Sequence, residues 1–242
     1  MRVVVQLGLS VLVLLAATAV SAASAVCQQP MRVIRNAEYE PDEDDRFLRA
    51  VLAHAGCELQ ITVSAHRVTL ARRFELLRAG EIDLIIGVNR LPERETLGWF
   101  SVPFRSEKTR GWIRATDAAR ANGKSTETLI HEGWKVIGPS QGWFGPFYEQ
   151  LRQRPGGLTA DFKRIEQGVR LLSKGRGDLL IVDDVWLSRL PAEELQGLQP
   201  LPDMLHEEPL HFLYSQKTVT RTQVTALDAA INAVRASWPA TP

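Results

Sequence analysis

Gly138-Pro139-Ser140-Gln141-Gly142 fits the pattern G-x-S-x-G, and Asp183 or Asp184 and then His206 or His211 follow it along the chain. A serine hydroxyl needs an adjacent base to attack, and the base needs an acid to orient it. This order of Ser, acid and His is therefore a candidate hydrolase triad with Ser140 as nucleophile. The pattern is short, and no HGGG-like oxyanion segment precedes it. Because the loop lies between an expected strand and an expected helix, a second reading is available. The backbone N–H groups of Ser140 to Trp143 would open the helix and hold an anionic group. His206-Glu207-Glu208-Pro209-Leu210-His211 has the wrong spacing for a helical H-E-x-x-H zinc site, and Pro209 breaks the helix such a site needs. Gly175-Arg176-Gly177 has neither P-loop nor dinucleotide spacing. No metal and no cofactor is expected.

The elements that would position these groups alternate. Met31–Asn36 reads as a strand and Asp44–Ala55 as an amphipathic helix with Phe47, Leu48, Val51 and Leu52 on one face. Leu59–Val63 is a second strand, Leu70–Ala79 a helix stopped by Gly80, and Ile82–Val88 a buried third strand. A β-α-β-α-β order implies a parallel sheet with helices on both faces. After a short strand at Trp112–Arg114, the polar stretch Ala115–Thr128 reads as linker and surface. Strands are then expected at Trp134–Gly138, Phe162–Ile165 and Asp178–Val182, with helices at Phe147–Gln153 and Gln167–Lys174. The chain passes Pro191, Pro200, Pro202 and Pro209 into an extended run, Leu210–Tyr214, and ends in a helix from Gln223 to Ala236. Two α/β units with a late return strand predict two lobes joined by two crossings.

Composition narrows the function. Of 242 residues 45% are hydrophobic and 24% charged, which excludes a disordered chain. Lys+Arg number 29 and Asp+Glu 28, with no basic block, which argues against a nucleic-acid partner. Residues 1–25 carry one charge, Arg2, then an apolar stretch from Val3 to Val20 and the small residues Ser21 to Ala25. This is the layout of a secretory signal peptide cleaved after Ala25; an uncleaved anchor is the alternative. Removing it leaves 28 basic and 28 acidic residues. In an oxidising compartment Cys27 and Cys57, each shortly before an expected strand, form a candidate disulfide if those strands are parallel neighbours; two unpaired thiols are the alternative.

The most specific stretch runs from Arg73 through Gly80, Gly87 and Arg94 to Phe100-Ser101-Val102-Pro103-Phe104, and the pattern continues at Gly175 to Asp183. It resembles the periplasmic solute-binding proteins of family 3, the polar amino-acid receptors of ABC importers, over residues 31–238. The resemblance implies a two-lobe α/β fold of the type II binding-protein kind with a ligand cleft. Lobe 1 would be residues 26–110 plus 212–242 and lobe 2 residues 111–211, with hinges near Gly111-Trp112-Ile113 and Leu210-His211-Phe212. It also implies a site. Arg94, seven residues after Gly87, would grip a ligand carboxylate with its planar fork, and Asp183, or its neighbour Asp184, would accept from an ammonium group. Tyr39 would stack on the ligand, and Asn36 would touch its side chain. Asn89 stands where a hydroxyl residue commonly assists the arginine, and Ser140, Gln141 and Gly142 would line the second wall.

Several positions differ from the family pattern. Glu40–Asp45 is short and acidic, Val68-Thr69 replaces a second stacking aromatic, and Leu91 replaces another hydroxyl residue. The expected function is capture of a small polar ligand, an amino acid by resemblance, by a monomer in the periplasm that serves an ABC permease of the inner membrane. An enzyme is not expected. The alternatives are the Ser140 hydrolase, a dehydratase on the same fold with Glu38 or Asp183 as its acid or base, and a receptor that reports ligand to a membrane sensor.

Overall fold

The computed structural model describes residues 26–37 and 42–238; the expected leader at 1–25, Glu38 and Tyr39 lie outside them. Strand β1 (Met31–Asn36) leads to helix α1 (Glu43–His54), β2 (Leu59–Ser64), α2 (Leu70–Ala79) and β3 (Leu84–Asn89). A single 3-10 turn, Pro92–Arg94, precedes β4 (Trp99–Phe100) and the long β5 (Arg105–Arg114). Two short helices, α3 (Ala118–Ala121) and α4 (Thr126–His131), follow. Then come β6 (Val136–Pro139), α5 (Pro146–Gln153), β7 (Ala160–Phe162), α6 (Ile165–Ser173), β8 (Leu179–Asp183) and α7 (Asp184–Leu187). The chain returns through β9 (Leu198–Tyr214) and closes with α8 (Arg221–Ser237).

Local chemistry sets the helix ends. Asp42 and Asp45 form a reciprocal capping box on α1, and Thr220 with Gln223 does the same on α8. Gly80, at φ +75°, supplies the left-handed stop of α2 that a side chain would strain. β1 and β2 pair in parallel, Met31 opposite Leu59, which brings their leading segments together. Cys27 and Cys57 are bridged there, with a Cα–Cα distance of 5.1 Å.

The apolar cores segregate. One pair of clusters draws on Cys27 to Phe104 together with Leu210 to Val234, and the other on Ile113 to Leu201. The strand order β3-β9-β5-β8-β6-β7 links them, and β5 with β9 runs through both.

Three expectations are corrected. First, β3 does not join β1 and β2 in one parallel ladder; it pairs antiparallel with β9, and Asp83, just before it, ties to β1 by donating its N–H to Arg32 O at 2.8 Å and accepting from the Arg32 N–H and guanidinium, both at 2.7 Å. Second, Ala115–Thr128 is not linker. Thr126 is fully buried and held by Asp203, which accepts from its N–H and hydroxyl at 2.9 and 3.1 Å, so α4 is tied down beneath β9. Third, the prolines do not end the strand. Pro200 and Pro202 sit where β9 has only β5 beside it, and Pro209 pairs with Ser106. A missing N–H is tolerated along such an edge.

Candidate functional site: a cleft flanked by Arg94

The turn after β3 fixes Arg94. Its N–H donates to Leu91 O at 2.9 Å, and its Nη1 donates to Asn89 O at 3.3 Å and Asn89 Oδ1 at 3.5 Å. The guanidinium lies 5.7 Å from the centroid of the Phe74 ring on α2. Burial lowers its pKa, opposed by the charges of Glu93, Glu107 and Glu149. Among the described residues it forms no ion pair, so this half-buried cation feels these acids only at a distance.

Asn89 is itself held from behind. Its Nδ2 donates to Glu107 Oε2 at 3.1 Å, making a relay Glu107–Asn89–Arg94 from β5 to the turn after β3. Glu107 is 7% exposed. Burial first, and then the Asp183 charge, push its carboxyl up to about 7.

Asp183 does not reach the cleft surface as expected. Its side chain is 0% exposed and caps α7 instead. Oδ1 accepts from the N–H groups of Lys108 and Val185, both at 3.2 Å, and Oδ2 lies 3.9 Å from Arg105 Nη1. The first residue of α7 turns the chain back over the strand end, which seals the carboxylate. Asp184, the rival, is engaged by Arg110 Nε at 2.8 Å and by the Trp112 indole N–H at 3.2 Å.

Asn36 is buried, and its Oδ1 accepts from Val68 N–H at 2.8 Å, so it ties the end of β1 to the loop before α2. That loop and α2 form one wall of a pocket of about 390 Å³, at Thr69, Leu70 and Ala71. Ser140, Gln141, Gly142 and Arg152 form the other. The structure thus brings Ser140, Gln141 and Gly142 opposite α2, with Arg94 against Phe74 of α2, Asn89 bonded to Arg94, and Asp183 withdrawn.

Ser140 to Trp143 are not a helix N-terminus. Gly142 at φ +103° and Gly145 at φ +93° keep the backbone out of helix until Pro146 starts α5. Arg152 Nη1 donates back to Ser140 O and Gly142 O at 3.5 and 3.3 Å and shapes this loop, while its Nη2 pairs with Glu149. The triad is not assembled either. Ser140 Oγ donates to Phe162 O at 3.1 Å; His206 pairs with Glu208 at 3.1 Å, and His211 Nδ1 bonds Ser101 O at 2.7 Å. Among the described residues no group of three or more His, Cys, Asp or Glu is placed to hold a metal ion, and no helix is long and apolar enough to cross a membrane.

Contacts also span the cleft. Arg189, just after α7, binds Asp42 at 2.8 Å and Asp44 at 3.4 Å at the start of α1. Arg105 holds the same Asp44 bidentately at 2.8 and 3.0 Å. Arg67 Nη2 donates to Lys163 O at 3.0 Å. Sequence reasoning missed Arg189, Arg105 and Glu107, because each acquires its meaning only from partners at least 18 residues away.

No protein-family model and no curated protein matches the sequence. Solved structures do. An amino acid ABC transporter substrate-binding protein from Streptococcus pneumoniae, bound to L-arginine, superposes with a TM-score of 0.65 at 16% identity, covering 86% of this chain and 89% of that one. The GluR0 ligand-binding core in complex with L-glutamate gives 0.67 at 13% identity, over 87% and 94%. An ancestral amino-acid-binding protein, a precursor of cyclohexadienyl dehydratase, gives 0.61 at 19% identity, over 86% and 90%. With its segregated cores, the shared β5–β9 ribbon and these likenesses, the chain has the two-lobe α/β fold of the family 3 solute-binding proteins.

Proposed function

We propose that the chain is an extracytoplasmic solute-binding protein that captures a small carboxylate-bearing ligand between its lobes and delivers it, as a monomer, to an ABC permease of the inner membrane. The observation that carries the reading is a pocket whose walls come from α2 and from the loop after β6, with Arg94, in no ion pair among the described residues, packed against Phe74 of α2. Arg94 holds the carboxylate, oriented by Asn89; Ser140, Gln141 and Gly142 complete the second wall, and Asn36 sets the position of the first. Lobe 1 is taken as 26–110 with 212–242 and lobe 2 as 111–211, after removal of residues 1–25. The disulfide and the leader-like start support a periplasmic location. A ligand touching both walls stabilises the closed form by its differential contacts and so shifts the population. The amino-acid ligands of the similar structures make that class the first to screen. The geometry around Ser140 supports no catalytic role for its hydroxyl.

The test is a thermal-shift screen of the mature protein against amino acids and organic acids, repeated on Arg94→Ala. A bound ligand raises the melting temperature by mass action. The variant should melt near the parent without ligand and lose the ligand-induced shift. A shift retained in Arg94→Ala would remove Arg94 from the site.

A further inference from the structure

We propose that closing of the lobes takes up a proton at Glu107, a carboxyl set at the junction between acids of both lobes, so that acid favours the closed form and base the open one. The inference deepens the binding reading above, on which its division into lobes rests. Glu107 lies on β5 where that strand has β9 alone beside it. It is buried and in no ion pair among the described residues, and its Oε2 accepts from Asn89 Nδ2 at 3.1 Å.

Acids approach it from three other elements. Asp183, at the end of β8 in lobe 2, is 0% exposed; its Oδ2 accepts no hydrogen bond and lies 3.9 Å from Arg105 Nη1. Asp44, on α1 in lobe 1, is held by Arg105 at 2.8 and 3.0 Å and by Arg189 at 3.4 Å. Glu208 stands opposite Glu107 on β9 and pairs with His206 at 3.1 Å. The neighbouring cations are directed elsewhere. Arg105 grips Asp44, and Arg189 binds Asp42 and Asp44. Arg94, with Glu93 beside it, reaches Glu107 through Asn89, and the exposed Lys108 gives its N–H to Asp183. An ionised Glu107 therefore adds a negative charge to a buried site that already holds carboxyls from both lobes. Burial first, and the Asp183 charge second, hold its carboxyl up at about 7.

Opening reverses both causes. The contacts that shut the junction cross between the lobes: Arg189 onto Asp42 and Asp44, Arg105 toward Asp183, and Arg67 onto Lys163 O. When they part, water enters and Asp183 withdraws, so the Glu107 carboxyl returns toward its ordinary 4.5. The closed form thus binds the proton more tightly. That share of closure is present at acid pH and lost as pH rises through about 7. A difference of one pKa unit between the forms changes the closed-to-open ratio roughly eightfold between pH 5 and pH 8.

Two measurements on the unliganded mature protein decide it. Small-angle scattering should give a smaller radius of gyration at pH 5 than at pH 8, and Glu107→Gln, which cannot ionise there, should keep the compact value at both. Carbon NMR of the carboxyl groups, with the Glu107 signal assigned by its loss in Glu107→Gln, should show a lower titration midpoint in Arg189→Ala than in the parent. Removing a cation alone raises a carboxyl midpoint, so a fall reports the release of the clasp and the opening of the junction. Equal dimensions of the parent at both pH values, the same pH response in Glu107→Gln, or a midpoint that rises or stays in Arg189→Ala would overturn the proposal. None of these outcomes bears on ligand capture, which the thermal-shift screen tests separately. A screen without a hit would remove the binding reading and leave both measurements standing.

Discussion

Glu107→Gln isolates the buried acid behind Arg94. The unfolded chain ionises this residue near 4.5, whereas the fold holds its carboxyl up to about 7. Folding therefore binds a proton between those values. The sign follows: the folded state is favoured at low pH, and that advantage is lost as pH rises through about 7. Between pH 5 and pH 8 the two titrations differ by roughly 2.5 kcal/mol, taking about 1.36 kcal/mol per pKa unit. At 7% exposure solvent screening reduces this little. Glutamine keeps the acceptor for Asn89 Nδ2 and cannot ionise, so the variant should lack this slope. Urea unfolding at pH 5 and pH 8 on both proteins gives the difference of differences, which cancels the other titrating groups. The parent should lose roughly 2 to 3 kcal/mol more than the variant on going to pH 8. There the variant should be the more stable, since it removes a negative charge facing Asp183. Parallel pH profiles, or a parent that gains stability toward pH 8 relative to the variant, would refute the burial and like-charge argument.

Two further outcomes follow from packing and ion pairs. Replacing both Cys27 and Cys57 by serine opens a loop with a separation of 30 residues. This is expected to cost roughly 3–4 kcal/mol and to lower the melting temperature by roughly 7–15 °C, read by calorimetry with and without reductant. An unchanged melt would mean that the bridge does not constrain the chain. Arg189→Ala removes the clasp to Asp42 and Asp44, whose side chains with Arg189 are 11–30% exposed. At up to about 1 kcal/mol, the loss should weaken ligand affinity about two- to fivefold without touching the pocket and expand the unliganded molecule in small-angle scattering. An identical scattering profile would show that the clasp does not set closure.

Much of the fold was legible because local rules decide it. The apolar stripe of α1, the Gly80 stop of α2 and the buried runs at β3 and β8 are written in residue type and spacing. The disulfide followed once β1 and β2 could be read as parallel neighbours. What failed depended on distant partners. Prolines at 200 and 202 look like breaks until β5 is seen along one side only of that part of β9. Ala115–Thr128 looks like linker until Asp203 reaches Thr126. In the candidate site, the resemblance singled out Arg94, and the structure places it in the 3-10 turn after β3 beside Asn89. The burial of Asp183 was not legible, because it depends on how α7 folds back over β8 and on Arg105 approaching from another strand.

The β5–β9 ribbon shifts register between Thr109 and Arg110 and again between Arg110 and Trp112. Those four residues of β5 are braced on their other side by β8, Thr109 opposite Asp183 through Trp112 opposite Leu180, whereas Arg105 to Lys108 have β9 alone. The two-stranded stretch has the lower torsional stiffness, so rotation between the lobes should be concentrated there, with each pocket wall moving as an undeformed body. The amplitude of opening is then fixed by the distance of each wall from that stretch, as for a lever about its fulcrum. Hydrogen exchange should be fastest, within the ribbon, at the amides of Arg105 to Lys108. Uniform protection along β5 would place the pivot elsewhere.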